Sequence, residues 1–322
     1  MRRILALVPG GVGDQLLFFP TLTTLKQTYP YASIDVVVEP RASSAYRIST
    51  LVQQVLKFDF KARNSLADIG NLLGTIRDRN YDVVLSLGTK WSVRFLLWLT
   101  GIPERVGYEG EANFFLTKTV PLNPDQYAAR MYHDLTRGLG INMPCPPIKL
   151  NLPKADLEWA QNLQKQLGLG ENFILLHGGS SQLAQAKGIY KIYDPQKWVE
   201  VIKTIQPQLG NMPIALVRGP EDEDFVRSIR QSLPQLPVIS PPDLGKLAAT
   251  IANASLLLCT DSAPMHLGVA VGTALVCLFG PTDPAKLLPS LTDPRIRFLK
   301  AESGKSINDI SPQAIIDKIL SN

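Results

Sequence analysis

Apolar residues along this chain gather in short runs separated by longer, periodic segments. Ile4 to Val8, Ile34 to Val38 and Val83 to Leu87 are dominated by Val, Ile and Leu. Such runs read as strands buried on both faces. Pro9-Gly10-Gly11 closes the first run and Glu39-Pro40 the second. After the first run, Leu16, Leu17, Phe19, Leu22 and Leu25 recur at helical spacing, and a second helical segment, Leu72 to Arg79, precedes the third run. Strand, loop and helix in steady alternation predict a parallel sheet with helices on its faces.

Pro144, Pro146, Pro147 and Pro153 then crowd one stretch. Proline fixes φ and removes a donor, so this stretch reads as a linker. Beyond it the alternation restarts: strands at Phe173 to Leu176, Ile214 to Val217, Leu256 to Cys259 and Ala274 to Phe279, with a helix from Pro195 to Ile205. The expected organisation is two α/β domains, residues 1–150 and 151–310. The tail is a last amphipathic helix within 311–322, with Ser311 as N-cap, Pro312 at its first position and Ile315, Ile316 and Ile319 as its stripe. It is expected to pack back on the first domain.

Composition narrows the class. A chain of 322 residues with 45% hydrophobic and 19% charged residues is far from the disordered regime. Cys145, Cys259 and Cys277 are too few and scattered for a disulfide framework or a zinc site. No run of apolar residues reaches the length of a membrane span, and Met1-Arg2-Arg3 followed by Ile4 to Val8 reads as a first strand, not a leader. A cytoplasmic protein is expected. The net charge of +5 is uneven: residues 1–150 carry 17 Lys+Arg against 12 Asp+Glu, whereas residues 151–322 carry 16 of each. The excess is scattered, which argues against nucleic acid as a partner. The aromatic segment Trp91 to Trp98 is expected to be a helix with its apolar face buried.

Candidate chemistry lies in loops that follow strands. Gly10-Gly11-Val12-Gly13-Asp14 lacks the third glycine of a dinucleotide fingerprint, where Leu16 stands, and the Lys of a P-loop. Loss of that glycine excludes an NAD-dependent oxidoreductase. Asp14 opposes phosphate binding and suits either a base for a hydroxyl or a helix cap. Asp261-Ser262-Ala263-Pro264-Met265-His266 marks a helix N-terminus at the end of a parallel strand, a place where anions bind. There His266 is either a ligand-facing or a structural histidine. His177-Gly178-Gly179-Ser180-Ser181 is a third loop of small and hydroxyl residues, followed by Lys191, Tyr193, Pro195 and Trp198. Gly219-Pro220-Glu221-Asp222-Glu223-Asp224 is a fourth, and Phe279-Gly280-Pro281-Thr282-Asp283-Pro284 a fifth.

Together these loops resemble glycosyltransferase family 9, the ADP-heptose:lipopolysaccharide heptosyltransferase type, over nearly the whole chain. Arg105-Val106-Gly107-Tyr108 and His133 add to the likeness. The resemblance implies the GT-B architecture, two Rossmann-like domains facing a central cleft, and an inverting glycosyltransferase that needs no metal and no cofactor. The N-terminal domain would receive a lipopolysaccharide or related glycan acceptor, and the C-terminal domain the nucleotide-sugar, ADP-heptose. It implies that Asp14 is the general base, on a loop with Gly11 and Gly13, and that Lys191 neutralises the leaving diphosphate. Ser180, Ser181, Glu221, Asp261, Ser262, Ala263 and His266 would bind the donor. Lys187 is a rival to Lys191, which is preferred for its spacing to Tyr193 and Trp198. Peripheral contact with the inner face of a bacterial plasma membrane is a further expectation. The alternative is a non-catalytic nucleotide-sugar or glycan-binding protein of the same fold.

Overall fold

The computed structural model describes residues 2–60, 64–179, 191–302 and 306–321. Ser180, Ser181 and Lys187 lie outside the described residues. The chain divides into two compact units, Met1–Asn151 and Leu152–Asn322.

The first unit runs β1 (Arg3–Val8), α1 (Val12–Thr28), β2 (Ser33–Val38), β3 (Gln54–Lys57), α2 (Leu66–Asp78), β4 (Val83–Ser86), α3 (Trp91–Leu99), β5 (Glu104–Tyr108), β6 (Lys118–Val120) and α4 (Ala128–His133). Its six strands are all parallel, in the order β3-β2-β1-β4-β5-β6. In β1 five of six residues are buried, and β4 is buried throughout. Parallel strands covered on both faces require such apolar runs. Leu5, Leu7, Val37, Val84, Ile76 and Leu97 join sheet and helices in one core.

The second unit runs α5 (Lys154–Gln166), β7 (Ile174–His177), α6 (Pro195–Gln208), β8 (Ile214–Val217), α7 (Glu223–Ser232), β9 (Val238–Ile239), α8 (Leu244–Asn253), β10 (Leu256–Thr260), α9 (Ala263–Val271), β11 (Leu275–Phe279), α10 (Pro284–Leu287), β12 (Ile296–Lys300) and α11 (Pro312–Leu320). Its sheet order is β12-β11-β10-β7-β8-β9, again parallel throughout. Counted from its own first strand, that is the same 3-2-1-4-5-6 order as in the first sheet. Both are Rossmann-like, and the pair is the GT-B architecture. Each order reverses between two strands, β1 and β4 in one unit, β7 and β10 in the other. Ligands of such sheets bind at the carboxyl ends beside that reversal.

Two expectations need correction. The terminal helix α11 belongs to the second unit. Ile315, Ile316 and Ile319 join the core of Trp198, Ile202 and Leu278, and the Arg297 guanidinium on β12 donates to the carbonyl oxygens of Lys318 (3.0 Å) and Ile319 (3.2 Å). Its stripe is thus consumed there. Helix α3 does not bury its whole apolar face. Leu96 and Leu97 point inward, while Trp91 and Trp98 are 61% and 50% exposed.

Candidate active site

At the reversal of the first sheet, β1 ends and the chain turns through Pro9-Gly10 into α1. Gly11 is the N-cap of α1, and Asp14, three residues on, reaches back so that its Oδ2 accepts the Gly11 N–H at 2.7 Å. Its other oxygen, Oδ1, accepts the Tyr132 hydroxyl from α4 at 2.9 Å. Burial, reinforced by the Asp14 charge, pushes the Tyr132 phenol well above its ordinary pKa, which keeps it a donor. A carboxylate has about four lone-pair sites, so one acceptor site on each oxygen is still available. Asp14 therefore caps the helix and keeps the capacity to accept a further proton donor.

Gly10 is the glycine that this turn needs. Its φ is +131°, and a Cβ there would lie 2.3 Å from Asp14 Oδ2. At Gly11 the same carboxylate oxygen would be 4.0 Å away, an ordinary contact. Gly13 lies within the first turn of α1. Beneath the loop, buried Gln15 donates to the Val8 carbonyl at 3.0 Å and accepts from the Tyr46 hydroxyl at 2.8 Å, fixing the exit of β1.

At the reversal of the second sheet the groups are more strongly charged. Lys191 Nζ lies 2.5 Å from Oδ2 of Asp261, which follows β10 and is 5% exposed. Ser262 is the N-cap of α9. Pro264 in the first turn has no N–H and Met265 N–H bonds back to Ser262 O at 3.1 Å, so Ala263 carries the first-turn donor beside the positive helix end. His266 is buried one turn further along. Gly179, at φ +82°, crosses so close to β10 that a Cβ would lie 2.0 Å from Thr260 Oγ1.

The structure also pairs groups that sequence reasoning does not assign. His177 ends β7 and is buried; its Nε2 lies 3.3 Å from Oδ2 of buried Asp222, which also accepts the Gly219 N–H at 2.6 Å. On its other side, His177 Nδ1 lies 3.3 Å from Ser262 Oγ, itself 3.2 Å from the Thr260 carbonyl. This chain ties the loop after β8 to the N-terminus of α9. Glu221, the predicted donor ligand, is the exposed neighbour of Asp222. Tyr193 and Trp198 are core residues, edge to face at 5.3 Å. His133 is likewise structural, with Nε2 2.8 Å from Thr24 Oγ1. Asp283 caps α10 by accepting the Ala285 N–H. Cys259 and Cys277 are buried free thiols. Among the described residues no three His, Cys, Asp or Glu side chains are arranged to hold a metal ion.

Comparison with known proteins agrees with this fold. The family model of glycosyltransferase family 9 (heptosyltransferase) matches residues 69–308. Lipopolysaccharide heptosyltransferase 3 of Escherichia coli is 28% identical over 84% of this chain and 81% of its own length. A chloroplast relative from Arabidopsis thaliana, photosynthetic NDH subunit of subcomplex B 1, is 24% identical over 89% of this chain and 66% of its own. Among solved structures, a family 9 glycosyl transferase from Veillonella parvula superposes with a TM-score of 0.85 at 22% identity, covering 99% of this chain and 96% of that one. The heptosyltransferase WaaC of E. coli, solved with ADP-2-deoxy-2-fluoro heptose, gives 0.76 at 20% identity and 98% coverage of both chains. The chain belongs to glycosyltransferase family 9 and is a glycosyltransferase.

Proposed function

We propose that this enzyme transfers heptose from ADP-heptose to a lipopolysaccharide or related glycan acceptor, with inversion and without a divalent metal. The observation that carries the reading is the match to a lipopolysaccharide heptosyltransferase along 84% of the chain. In the proposed step Asp14 takes the proton of the acceptor hydroxyl, whose oxygen attacks the anomeric carbon. The bond from that carbon to the diphosphate breaks, and the diphosphate leaves with the electron pair. Lys191 and the N-terminus of α9, through the Ala263 N–H, offset the charge that develops on it. Asp261 supports this role by holding the Lys191 ammonium at 2.5 Å. Ser180 and Ser181 bind the phosphates, Glu221 the ribose, and Ser262 and His266 complete the donor loop. The reaction belongs to the cytoplasmic face of a bacterial plasma membrane, where a glycolipid acceptor is presented.

A second reading, a non-catalytic protein of the same fold, draws on the relative named as a subunit of a photosynthetic NDH subcomplex. One pair of measurements separates the two. Asp14→Asn should lower turnover with ADP-heptose by about 10²–10⁴-fold. The same variant should keep the rise in melting temperature that ADP produces, with EDTA present, because ligand bound to the native state stabilises it by mass action. Absence of turnover in the unsubstituted protein, with ADP binding retained, would favour the second reading. A larger shift with GDP or UDP would keep the transferase and change the sugar donor.

A further inference from the structure

Two features of the first unit take no part in the transfer just described: the segment Arg105-Val106-Gly107-Tyr108 and His133. Arg105 braces the start of that segment, its guanidinium donating to the carbonyls of Ile102 (2.6 Å) and Phe115 (2.8 Å). Tyr108 ends β5 and is buried, and the Arg94 guanidinium of α3 donates to its carbonyl at 2.8 Å. The Tyr108 hydroxyl in turn donates to the Met131 carbonyl of α4 at 2.7 Å. Two residues further on, His133 Nε2 lies 2.8 Å from Thr24 Oγ1 of α1. The turn that follows α4 also sits against β5, since a Cβ at Gly138 would lie 2.5 Å from Val106 Cγ1.

Tyr132 stands between the two fastened residues. Met131 is tied to β5 through its main chain and His133 to α1 through its ring, so residue 132 is held on both sides. Helix α4 has six residues, too few to keep its place by its own hydrogen bonds, and these ties supply what its length cannot. From that fixed position the Tyr132 hydroxyl reaches the first turn of α1 and donates to Asp14 Oδ1 at 2.9 Å. Burial pushes the phenols of both Tyr108 and Tyr132 above their ordinary pKa, so each stays a protonated donor. The segment at β5 and the histidine thus serve one end, the placing of a single hydroxyl.

A carboxylate held at one oxygen can turn about that bond. Asp14 Oδ2 accepts the Gly11 N–H at 2.7 Å, and this bond alone would leave Oδ1 free to swing. With Oδ1 on the Tyr132 hydroxyl both oxygens are tied, and the plane of the group is set. Asp14 stays partly exposed, and each oxygen keeps an acceptor site. A general base must meet its hydroxyl within hydrogen-bond reach. A misplacement of about 1 Å can cost about 10²-fold in rate. We infer that Tyr132 is a positioning residue for the transfer: clasped to β5 and α1 through its two chain neighbours, it sets the plane of the Asp14 carboxylate and so aims it at the acceptor hydroxyl. The inference rests on the proposed role of Asp14 as the base.

The test is a double-mutant cycle on the full chain, with ADP-heptose and a deacylated, heptose-deficient lipopolysaccharide core as substrates. Tyr132→Phe keeps the ring and should lower kcat by about 10–100-fold, the worth of a hydrogen bond to a charged group, with KM for ADP-heptose held within about twofold. In an Asp14→Asn background the same substitution should change kcat by less than about twofold, because the group it acts through is gone. Tyr108→Phe, one step further back, should lower kcat in the same direction by a smaller factor. Both substitutions keep the ring and its packing, so the melting temperatures should stay near that of the unsubstituted protein. A crystal structure of Tyr132→Phe should show Oδ2 still on the Gly11 N–H and the carboxylate plane turned about that bond. Equal losses of kcat in the two backgrounds, full kcat in Tyr132→Phe, or an unmoved carboxylate would overturn the inference and leave Asp14 as the base. Full turnover by Asp14→Asn would instead remove the base, and the inference with it.

Discussion

At the residue scale the β1–α1 turn leaves little freedom. Gly10 carries φ +131°, and the space where its Cβ would stand is filled by Asp14 Oδ2 at 2.3 Å. Gly10→Ala should therefore cost about 1–3 kcal/mol of stability through backbone strain. It should also swing the carboxylate away from the Gly11 N–H, so turnover should fall by more than the stability loss explains. Urea unfolding and steady-state rates on the folded variant check both parts, and an Ala variant of full activity would remove the link between the turn and Asp14. Asp14 itself is legible in the sequence because a carboxylate at a glycine turn is unusual. Its partner Tyr132 is not, because the two lie 118 residues apart and only the packing of α4 on α1 joins them. The same holds for His177 and Asp222. Each stands in a loop that draws attention, but nothing local says that the histidine bridges one loop to the next.

At the scale of elements, the strands that a reader of the sequence finds are the inner ones. β1, β2, β4, β7, β8, β10 and β11 are nearly or wholly buried and appear as mainly apolar runs, with Asp35 the charged residue inside β2. β3, β5, β6, β9 and β12 escape notice; four of them are the edges of the two sheets, and the fifth, β5, is an inner strand whose Glu104 and Arg105 break the apolar run. An edge strand is covered on fewer sides, so Gln54–Lys57 and Lys118–Val120 can be largely polar and still pair. Pattern reading therefore recovers the centre of each sheet and undercounts its width. The amphipathic stripe of α11 is equally plain in sequence, but a stripe does not name the surface that receives it. Here that surface is α6 and β12, and Ile316 is 3% exposed within it. Ile316→Ala should accordingly destabilise the second unit by about 2–5 kcal/mol. Hydrogen exchange read by mass spectrometry should show the loss in peptides of Leu152–Asn322. Faster exchange confined to Met1–Asn151 would contradict the packing of the helix.

At the scale of the whole molecule, the chain holds three histidines, and the first unit has one of them, His133. It is 4% exposed and its Nε2 lies 2.8 Å from Thr24 Oγ1, in contact with α1. Burial lowers its pKa from the ordinary value of 6.5, outweighing the charge of Asp134, which raises it, while Arg137 adds to the lowering. The unfolded chain therefore binds a proton at this site at a higher pH than the folded one does. The stability that goes with the neutral ring is complete above about 6.5, and it is lost as the pH falls from there through the folded-state value. Acidification from neutral pH should weaken the first unit by this route, on top of any general loss from other groups. His133→Gln removes the titration while leaving an amide that can bond Thr24. Its unfolding free energy at neutral pH should lie below that of the unsubstituted protein, because packing is disturbed. The gap should narrow as the pH is lowered past the imidazole range, since only the unsubstituted protein has the His133 ring to protonate. Urea titrations of both proteins at matched pH values measure the gap directly. A gap that stays constant or widens on acidification would show that the ring does not titrate against the fold.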